Sequence, residues 1–257
     1  MEKERPLILL SNDDGVEAKG INELIKALRP IGDLIVVAPD GPRSGSACAI
    51  TSEHPLCYSK LTEEEGLVIY KCNGTPVDCI KVALHSIVPR TPDLVIGGIN
   101  HGDNSSVNVH YSGTMGVVIE GCLKKIKSIG FSLCNHAADA DFEPLFFFLQ
   151  LIVREVLKNG LPEGTCLNVN FPVAANFKGI KVCRQTKGIW SGEFVTYAHP
   201  RKSNYFWLTG EFINQEPDAE DSDHWALNHG YVAITPVQID VTAYKLMENM
   251  KQWNLSL

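Results

Sequence analysis

The sequence lacks several patterns that would assign it to a familiar class of protein. Its eight cysteines form no C-x-x-C pair, which disfavours a zinc ribbon or a thioredoxin-type motif. No G-x-x-x-x-G-K-[ST] loop occurs and no G-x-G-x-x-G follows a strand-like run, so P-loop and standard dinucleotide-binding folds are disfavoured. The 23 Lys and Arg residues are outnumbered by 30 Asp and Glu and form no basic block, so we expect no nucleic-acid polymer as a partner.

Long apolar runs are missing as well. The most apolar predicted helix, residues 142–157, contains Glu143, Arg154 and Glu155, so it is not a membrane span. The chain runs from Met1 into a strand without an apolar signal segment, and we therefore expect a cytoplasmic protein with no membrane partner. In a reducing cytoplasm, the cysteines are expected to be small buried hydrophobes and not a disulfide framework.

The first two thirds of the chain alternate between strand-like and helical patterns. Strand-like runs occupy residues 7–10, 33–39, 93–98, 129–134 and 166–172, and helical spacing occupies residues 18–28, 75–84, 117–125 and 142–157. This order predicts an α/β fold with a mostly parallel sheet and helices on both faces. Between these elements, residues 47–51 and 67–72 are predicted to form the strands of a hairpin arm.

From about residue 179 the pattern changes. Strand-like runs at 179–186, 192–197, 203–212 and 231–235 have no clear helix between them, and helical spacing returns at 241–253. We interpret the acidic run 216–223 as a solvated loop. Because long two-stranded ribbons are poorly stable alone, we expect a core at 1–178 and, at 179–257, a β-hairpin extension and C-terminal segment. This second part would pack on the core and on a partner subunit.

Two adjacent carboxylates, Asp13 and Asp14, lie where the first strand ends and the first helix begins. Ligands of open parallel sheets bind at the carboxyl ends of the strands. Two negative side chains in contact repel each other unless a positive group lies between them. The pair is therefore either half of a divalent-cation site or a solvated acidic turn, since acidic turns are common.

Two further segments are predicted to reach the same edge. The loop that follows the second strand brings Arg43 and Ser44, which are site candidates unless this is only a flexible surface loop. Residues 112–114 (Ser-Gly-Thr) precede a predicted helix, where backbone N–H groups and the helix dipole suit a phosphate. Ordinary helix capping explains such a motif more often than phosphate binding does.

Taken together, the motifs resemble the SurE family, the survival-protein 5′-nucleotidases. The segments that carry the resemblance run in order along almost the whole chain: residues 9–15, 37–45, 74–79, 98–104, 111–114, 167–172 and 230–236. The resemblance implies a metal-dependent phosphomonoesterase on a Rossmann-like core. Members act on nucleoside 5′- and 3′-monophosphates and on short polyphosphate. They form homodimers or homotetramers through the β-hairpins and the C-terminal helix.

The resemblance also implies roles for individual residues. One divalent cation per subunit would be bound by oxygen donors, namely Asp13, Asp14, Ser44 and Asn100. The substrate phosphate would be surrounded by Asn104, Ser112, Gly113 and Thr114. The residues implied as catalytic are Asp13, Asp14 and Asn100. A set of oxygen donors without His or Cys favours Mg²⁺ or Mn²⁺. Either Asp13 or Asp14 could receive a proton from the attacking water, and the sequence does not choose between them.

The chain departs from the family pattern at two positions. Asn108 stands where many members have Asp, and Met115 stands where Val is usual. The first change removes a carboxylate near the phosphate and could alter substrate preference or the contacts around the metal. His101 and His110 flank the site in sequence, and neither is assigned a role.

Two alternative functions are considered. Asp13 could act as a covalent nucleophile, but Gly15 stands where an aspartyl-phosphate phosphatase needs its second Asp. The chain could also be a non-catalytic nucleotide-binding protein on the same fold, since a fold does not determine a function.

Overall fold

The computed structural model of the chain describes residues 5–174 and 176–255. The strands in these residues are Leu7–Ser11 (β1), Asp33–Pro39 (β2), Tyr58–Glu64 (β3), Leu67–Cys72 (β4), Leu94–His101 (β5), Ser128–Leu133 (β6), Thr165–Phe171 (β7), Ile180–Val182 (β8), Gly188–Ser191 (β9), Phe194–His199 (β10), Lys202–Leu208 (β11), Glu211–Asn214 (β12) and Val232–Gln238 (β13). The α-helices are Lys19–Leu28 (α1), Pro76–Val82 (α2), Gly113–Leu123 (α3), Phe146–Asn159 (α4), Asp223–Asn228 (α5) and Tyr244–Met250 (α6).

A nine-stranded sheet has the order β3-β4-β2-β1-β5-β6-β7-β13-β8. The strands from β4 through β7 in this order are parallel, whereas β3 and β13 pair antiparallel with β4 and β7. The chain continues from β1 to β2 on one side, and β5 lies on the other side of β1. The strand order thus reverses between β1 and β5, and ligands of such sheets bind outside the carboxyl ends of the strands at this point. The predicted mostly parallel α/β fold is confirmed.

Helices cover both faces of the sheet, as the sequence predicted. Successive side chains of a strand point to opposite faces. Ile8 and Leu10 of β1 accordingly pack in one buried cluster with α1 and α4, whereas Leu7 and Leu9 pack in a second cluster with α2 and Val117 of α3. Burial of one such side chain contributes about 1.5–3 kcal/mol relative to leaving it exposed. This two-sided burial holds the carboxyl end of β1 rigidly in the centre of the sheet.

The residues beyond 179 belong partly to this sheet and partly to separate ribbons. Strand β13 pairs antiparallel with β7 and parallel with β8, while β10 pairs with β11 and β12 with β9. The expectation that no helix lies among these strands is wrong. Helix α5 begins after Ser222, whose hydroxyl accepts the N–H of Trp225 at 3.3 Å. The division of the chain at residues 178 and 179 stays a prediction.

The predicted strand at residues 47–51 is also wrong. This segment instead caps α2: the N–H of Thr51 donates to both carboxylate oxygens of Asp78, and the hydroxyl of Thr75 donates to the carbonyl of Ala49 at 2.7 Å. The strand that pairs with β4 is β3, an edge strand with mostly exposed side chains. Its weak hydrophobic pattern explains why periodicity did not locate it.

Among the described residues, no helix has the length and apolar character needed to cross a membrane. Helix α4 is preceded by a 3₁₀ turn at Glu143–Leu145 and buries one side against the sheet. The C-terminal helix α6 buries none of its side chains within this chain.

Candidate active site

A cavity of about 550 Å³ opens at the carboxyl edge of the sheet, beside the ends of β1, β2 and β5. Five of the predicted site residues line it, and they come from separate segments: Asp13, Ser44, Asn100, Asn104 and Ser112. The other three, Asp14, Gly113 and Thr114, contact members of this group or their neighbours. The fold thus brings the whole predicted set together, while the roles of its members stay predictions.

Asp13 is buried and held by the N-terminus of α3. The hydroxyl of Thr114 donates to Asp13 Oδ1 at 2.6 Å. A β-carbon at Gly113 would lie only 2.6 Å from Asp13 Cβ, so the close approach of strand end and helix requires glycine there. The pKa of Asp13 is raised to about 6. Burial is the largest cause and the charge of Asp14 adds to it, while the Thr114 hydrogen bond opposes the shift.

Asp14 is less buried and faces the end of β5. Its Oδ2 accepts the backbone N–H of His101 at 3.4 Å. Burial raises the pKa of Asp14, and the His101 N–H and ring oppose that shift. The amide Nδ2 of Asn100 donates to the carbonyl of Gly102 at 2.8 Å, which leaves the amide oxygen of Asn100 as an acceptor for another group. The ring of His101 packs edge-on against Phe142 at 5.0 Å.

The two candidates in the loop after β2 have different places. Ser44 is exposed and lines the cavity. The guanidinium of Arg43 pairs with Asp40 at 2.9 Å and does not line the cavity. The backbone N–H of Arg43 donates to the carbonyl of Asp13 at 2.7 Å. The loop after β2 is therefore held against the loop after β1.

Three of the four predicted phosphate-binding residues, Ser112, Gly113 and Thr114, form the N-cap and first turn of α3. The hydroxyl oxygen of Ser112 accepts the N–H of Met115 at 3.0 Å and keeps its own hydrogen for another partner. The hydroxyl of Thr114 is buried and committed to Asp13. The backbone N–H groups of Gly113 and Thr114 lie at the positive end of the helix dipole, and that of Gly113 also stabilises the charged form of Asp13.

Asn104 is fixed by a ladder of buried amides. Its Nδ2 donates to Ser132 Oγ at 2.8 Å, its N–H donates to Asn170 Oδ1 at 2.8 Å, and its carbonyl accepts Nδ2 of Asn168 at 2.7 Å. Asn170 Nδ2 closes the ladder on Asn168 Oδ1 at 3.0 Å. The ends of β6 and β7 thereby hold the loop after β5 against the cavity.

The residues at this edge fit a hard divalent cation. The predicted donor set is two carboxylates, one hydroxyl and one amide oxygen, which suits Mg²⁺ or Mn²⁺. The groups that favour the charged form of Asp13 are neutral donors, while its neighbour Asp14 adds a second negative charge. A cation between the carboxylates would offset that repulsion. No cluster of three or more His, Cys, Asp or Glu residues with metal-binding geometry occurs in the described part of the chain, and the predicted set differs from such a cluster by including Ser44 and Asn100.

Sequence reasoning missed several residues of the cavity. Trp190, Glu193 and Leu208 line it although they belong to the part after residue 179, and Asp103 and His136 also line it. No local pattern distinguishes Trp190 from the other tryptophans of the chain.

The solvated-loop interpretation of residues 216–223 is wrong for Asp223. This side chain is buried, and its carboxylate accepts the N–H groups of Ser106, Thr186 and His224 at 2.8–3.0 Å. Ser106 has a φ of 51°, a left-handed conformation that non-glycine residues rarely adopt. Asp223 thus holds the loop that follows Asn104 and ties the two parts of the chain together.

Comparison with known proteins gives consistent results. A sequence model of the family described as Survival protein SurE matches residues 8–192. A protein named 5′-nucleotidase SurE from Phocaeicola vulgatus is 68% identical over 257 residues, which is 100% of both chains. A protein of the same name from Bacteroides thetaiotaomicron is 60% identical over 97% of this chain and 96% of its own. The crystal structure of the SurE protein from Aquifex aeolicus superposes with a TM-score of 0.82 at 37% identity, covering 96% of this chain and 98% of that chain.

Proposed function

The chain belongs to the SurE family and is a 5′-nucleotidase, and from this premise we propose that it hydrolyses nucleoside monophosphates with one divalent cation per subunit. The substrates are nucleoside 5′-monophosphates, with 3′-monophosphates and short polyphosphate as further ones. The observation that carries the proposal is the meeting of Asp13, Asp14 and the N-terminus of α3 at one cavity. Carboxylates suit the cation, and the N–H groups of a helix N-terminus suit the phosphate.

The cation, Mg²⁺ or Mn²⁺, would be held by oxygen atoms of Asp13, Asp14, Ser44 and Asn100. When bound, it supplies Lewis-acid chemistry that polarises a P–O bond and neutralises developing charge. Thr114 keeps the Asp13 carboxylate oriented through its 2.6 Å hydrogen bond. The catalytic set of the proposal is Asp13, Asp14 and Asn100.

The substrate phosphate would lie against the first turn of α3. The hydroxyl of Ser112 and the N–H groups of Gly113 and Thr114 stabilise charge on its oxygens. The amide of Asn104, whose backbone is fixed by Asn168 and Asn170, completes this side of the site. Donors that are already positioned do not have to reorganise during the reaction.

A first experiment separates this proposal from a non-catalytic nucleotide-binding protein. Phosphate release from AMP and GMP is measured with Mn²⁺, with Mg²⁺, and after EDTA. We expect turnover with a cation, loss of turnover with EDTA, and recovery when the cation is returned. Nucleotide binding without phosphate release under all these conditions would favour the non-catalytic alternative. A panel of 3′-AMP and short polyphosphate defines the substrate range.

The same proposal includes a homodimer or homotetramer in the cytoplasm. The hairpin β10–β11 makes its own two-stranded sheet and exposes large apolar side chains, among them Phe194, Phe206, Trp207 and Leu208. A ribbon of this kind is marginal in water by itself, so a second copy of the chain is the natural cover. Helix α6, whose side chains are not buried, is the other contact surface of the proposal.

A further inference from the structure

The cavity at the carboxyl edge has aromatic as well as polar walls. Trp190 of β9, Leu208 of β11 and Tyr111 line it together with Asp13. A phosphate and a cation need no apolar wall, whereas the flat face of a nucleobase binds by packing against one. We propose that Trp190 and Tyr111 form a stacking subsite for the base of the nucleotide, and that Asn108 is the positioning residue that holds Trp190. This inference rests on the proposed function.

Trp190 is held at two points. Its indole Nε1 donates to Asn108 Oδ1 at 3.0 Å, and its ring meets that of Phe212 edge-on with centroids 6.0 Å apart. Phe212 in turn lies over Gly188, where a β-carbon would be 2.2 Å from Phe212 Cζ, so glycine is required there. Because the indole is already fixed, it loses little side-chain entropy when a base stacks on it.

Asn108 makes contacts that an aspartate could not make. Its Nδ2 donates to Asp103 Oδ1 at 3.4 Å while its Oδ1 accepts from Trp190. An amide donates and accepts at the same time, whereas an ionised carboxylate only accepts. An aspartate at position 108 would place a second carboxylate against Asp103, and the two negative charges would repel each other.

Asn108 also connects the aromatic wall to the phosphate end of the site. Its backbone carbonyl accepts the N–H of Tyr111 at 3.0 Å and the N–H of Ser112 at 3.1 Å. Ser112 is the N-cap of α3. One residue therefore connects Trp190, Tyr111 and the first turn of α3, so the proposed base subsite and the proposed phosphate site are joined through Asn108.

The chemistry of the wall predicts its selectivity. Stacking on aromatic side chains tolerates any base, since every base has a π face. Tyr111 is 59% exposed in the free protein, so its ring is accessible to a ligand. A purine covers more of such a wall than a pyrimidine, and we expect purine nucleotides to have the lower KM.

The test compares AMP with ribose 5-phosphate, a phosphomonoester that has the sugar but no base. For Trp190→Leu, the KM for AMP should rise about tenfold with little change in kcat, and kinetics with ribose 5-phosphate should be unchanged. Trp190→Phe keeps an aromatic face and should retain most of the affinity for AMP. Trp253→Leu, which removes a tryptophan that does not line the cavity, is the matched control and should resemble wild type.

The role of Asn108 is tested by the same comparison of kinetics with AMP and with ribose 5-phosphate. Asn108→Leu should raise the KM for AMP, leave ribose 5-phosphate unaffected, and have little further effect when combined with Trp190→Leu, since both changes remove one interaction. A structural defect would lower kcat for both substrates and would add to the Trp190 effect.

Binding of adenosine, measured by calorimetry, gives a readout that does not depend on hydrolysis. Adenosine should bind wild type and bind Trp190→Leu about tenfold more weakly. Equal binding to both proteins, or an equal rise in KM for AMP and ribose 5-phosphate, would overturn the base subsite and leave the phosphatase proposal intact. Absence of turnover with either phosphate, with adenosine binding still dependent on Trp190, would defeat the proposed function and retain the subsite.

Discussion

The carboxyl edge of the sheet buries polar side chains, whereas the β10–β11 hairpin exposes apolar ones. At the edge, Asp13 and Asn104 are buried, whereas Phe206 and Trp207 on the hairpin are 57% and 65% exposed. Burial of a charge is unfavourable unless it is paired or hydrogen-bonded, and exposure of contiguous rings forgoes apolar burial. The difference indicates that the edge is arranged for chemistry on a charged ligand and the hairpin for association.

The largest expected effect comes from removing one buried charge at the edge. Asp13→Asn should lower kcat with AMP and Mn²⁺ by about a thousandfold, since an electrostatic group in contact with the reacting atoms is lost. The amide oxygen can still accept from Thr114, so the melting temperature should change little. Phosphate release and circular dichroism measure the two quantities.

Asp218→Asn is the control for this change, because Asp218 is an exposed carboxylate of the acidic loop. It should have wild-type activity. Turnover by Asp13→Asn at the wild-type rate would remove Asp13 from the ligand set. Asp14→Asn is expected to follow Asp13→Asn, and a different result would separate the roles of the two carboxylates.

The second largest effect is expected on the stability of the fold. Asp223, in the part of the chain after residue 179, holds a loop at the carboxyl edge of the sheet. Asp223→Ala leaves buried N–H groups of Ser106 and Thr186 without an acceptor and should lower the free energy of unfolding by about 3 kcal/mol. Urea unfolding measures the change. Asp221→Ala is the matched control, since Asp221 is an exposed partner of Arg184 and surface pairs contribute little. Equal shifts for both variants would contradict a special role of Asp223.

A smaller effect is expected when the Asp13 carboxylate keeps its charge and loses its orientation. Thr114→Val removes the 2.6 Å hydrogen bond and should lower kcat for AMP about tenfold, with the KM less affected. Thr114→Ser keeps the hydroxyl and should restore most of the activity. If Thr114→Ser were as defective as Thr114→Val, packing of the methyl group would be the cause.

The smallest effect on the fold is expected at the hairpin. Phe206→Ser combined with Trp207→Ser changes side chains that are exposed in the single chain, so the melting temperature should stay close to wild type at low protein concentration. The mass by light scattering should fall from dimer or tetramer toward a smaller species. Leu123→Ser, an exposed position at the end of α3, should leave the mass unchanged. A wild-type protein that is a monomer would contradict the proposed assembly.

Local patterns predicted the elements with strong periodicity. The buried runs of β1, β2 and β5 and the amphipathic spacing of α1 were located from the sequence because both faces of the sheet are covered. The edge strand β3 and the six-residue helix α5 were not, since exposed strands and short helices carry little hydrophobic pattern. The predicted metal ligands meet at one edge because parallel strands put their carboxyl ends together.

The sequence by itself determined the order of the central strands and their helices and the edge at which Asp13 and Asp14 lie. Only the tertiary structure decided what surrounds them. Thr114 reaches Asp13 across 101 residues, Trp190 reaches Asn108 across 82, and Asp223 reaches Ser106 across 117. Such contacts depend on how distant elements pack, and no local period encodes them. For this reason Asp13 and Asp14 could be singled out from their place in the chain, and the full proposed ligand set came from the family resemblance. The groups that orient these residues and the aromatic wall beside them could not be predicted.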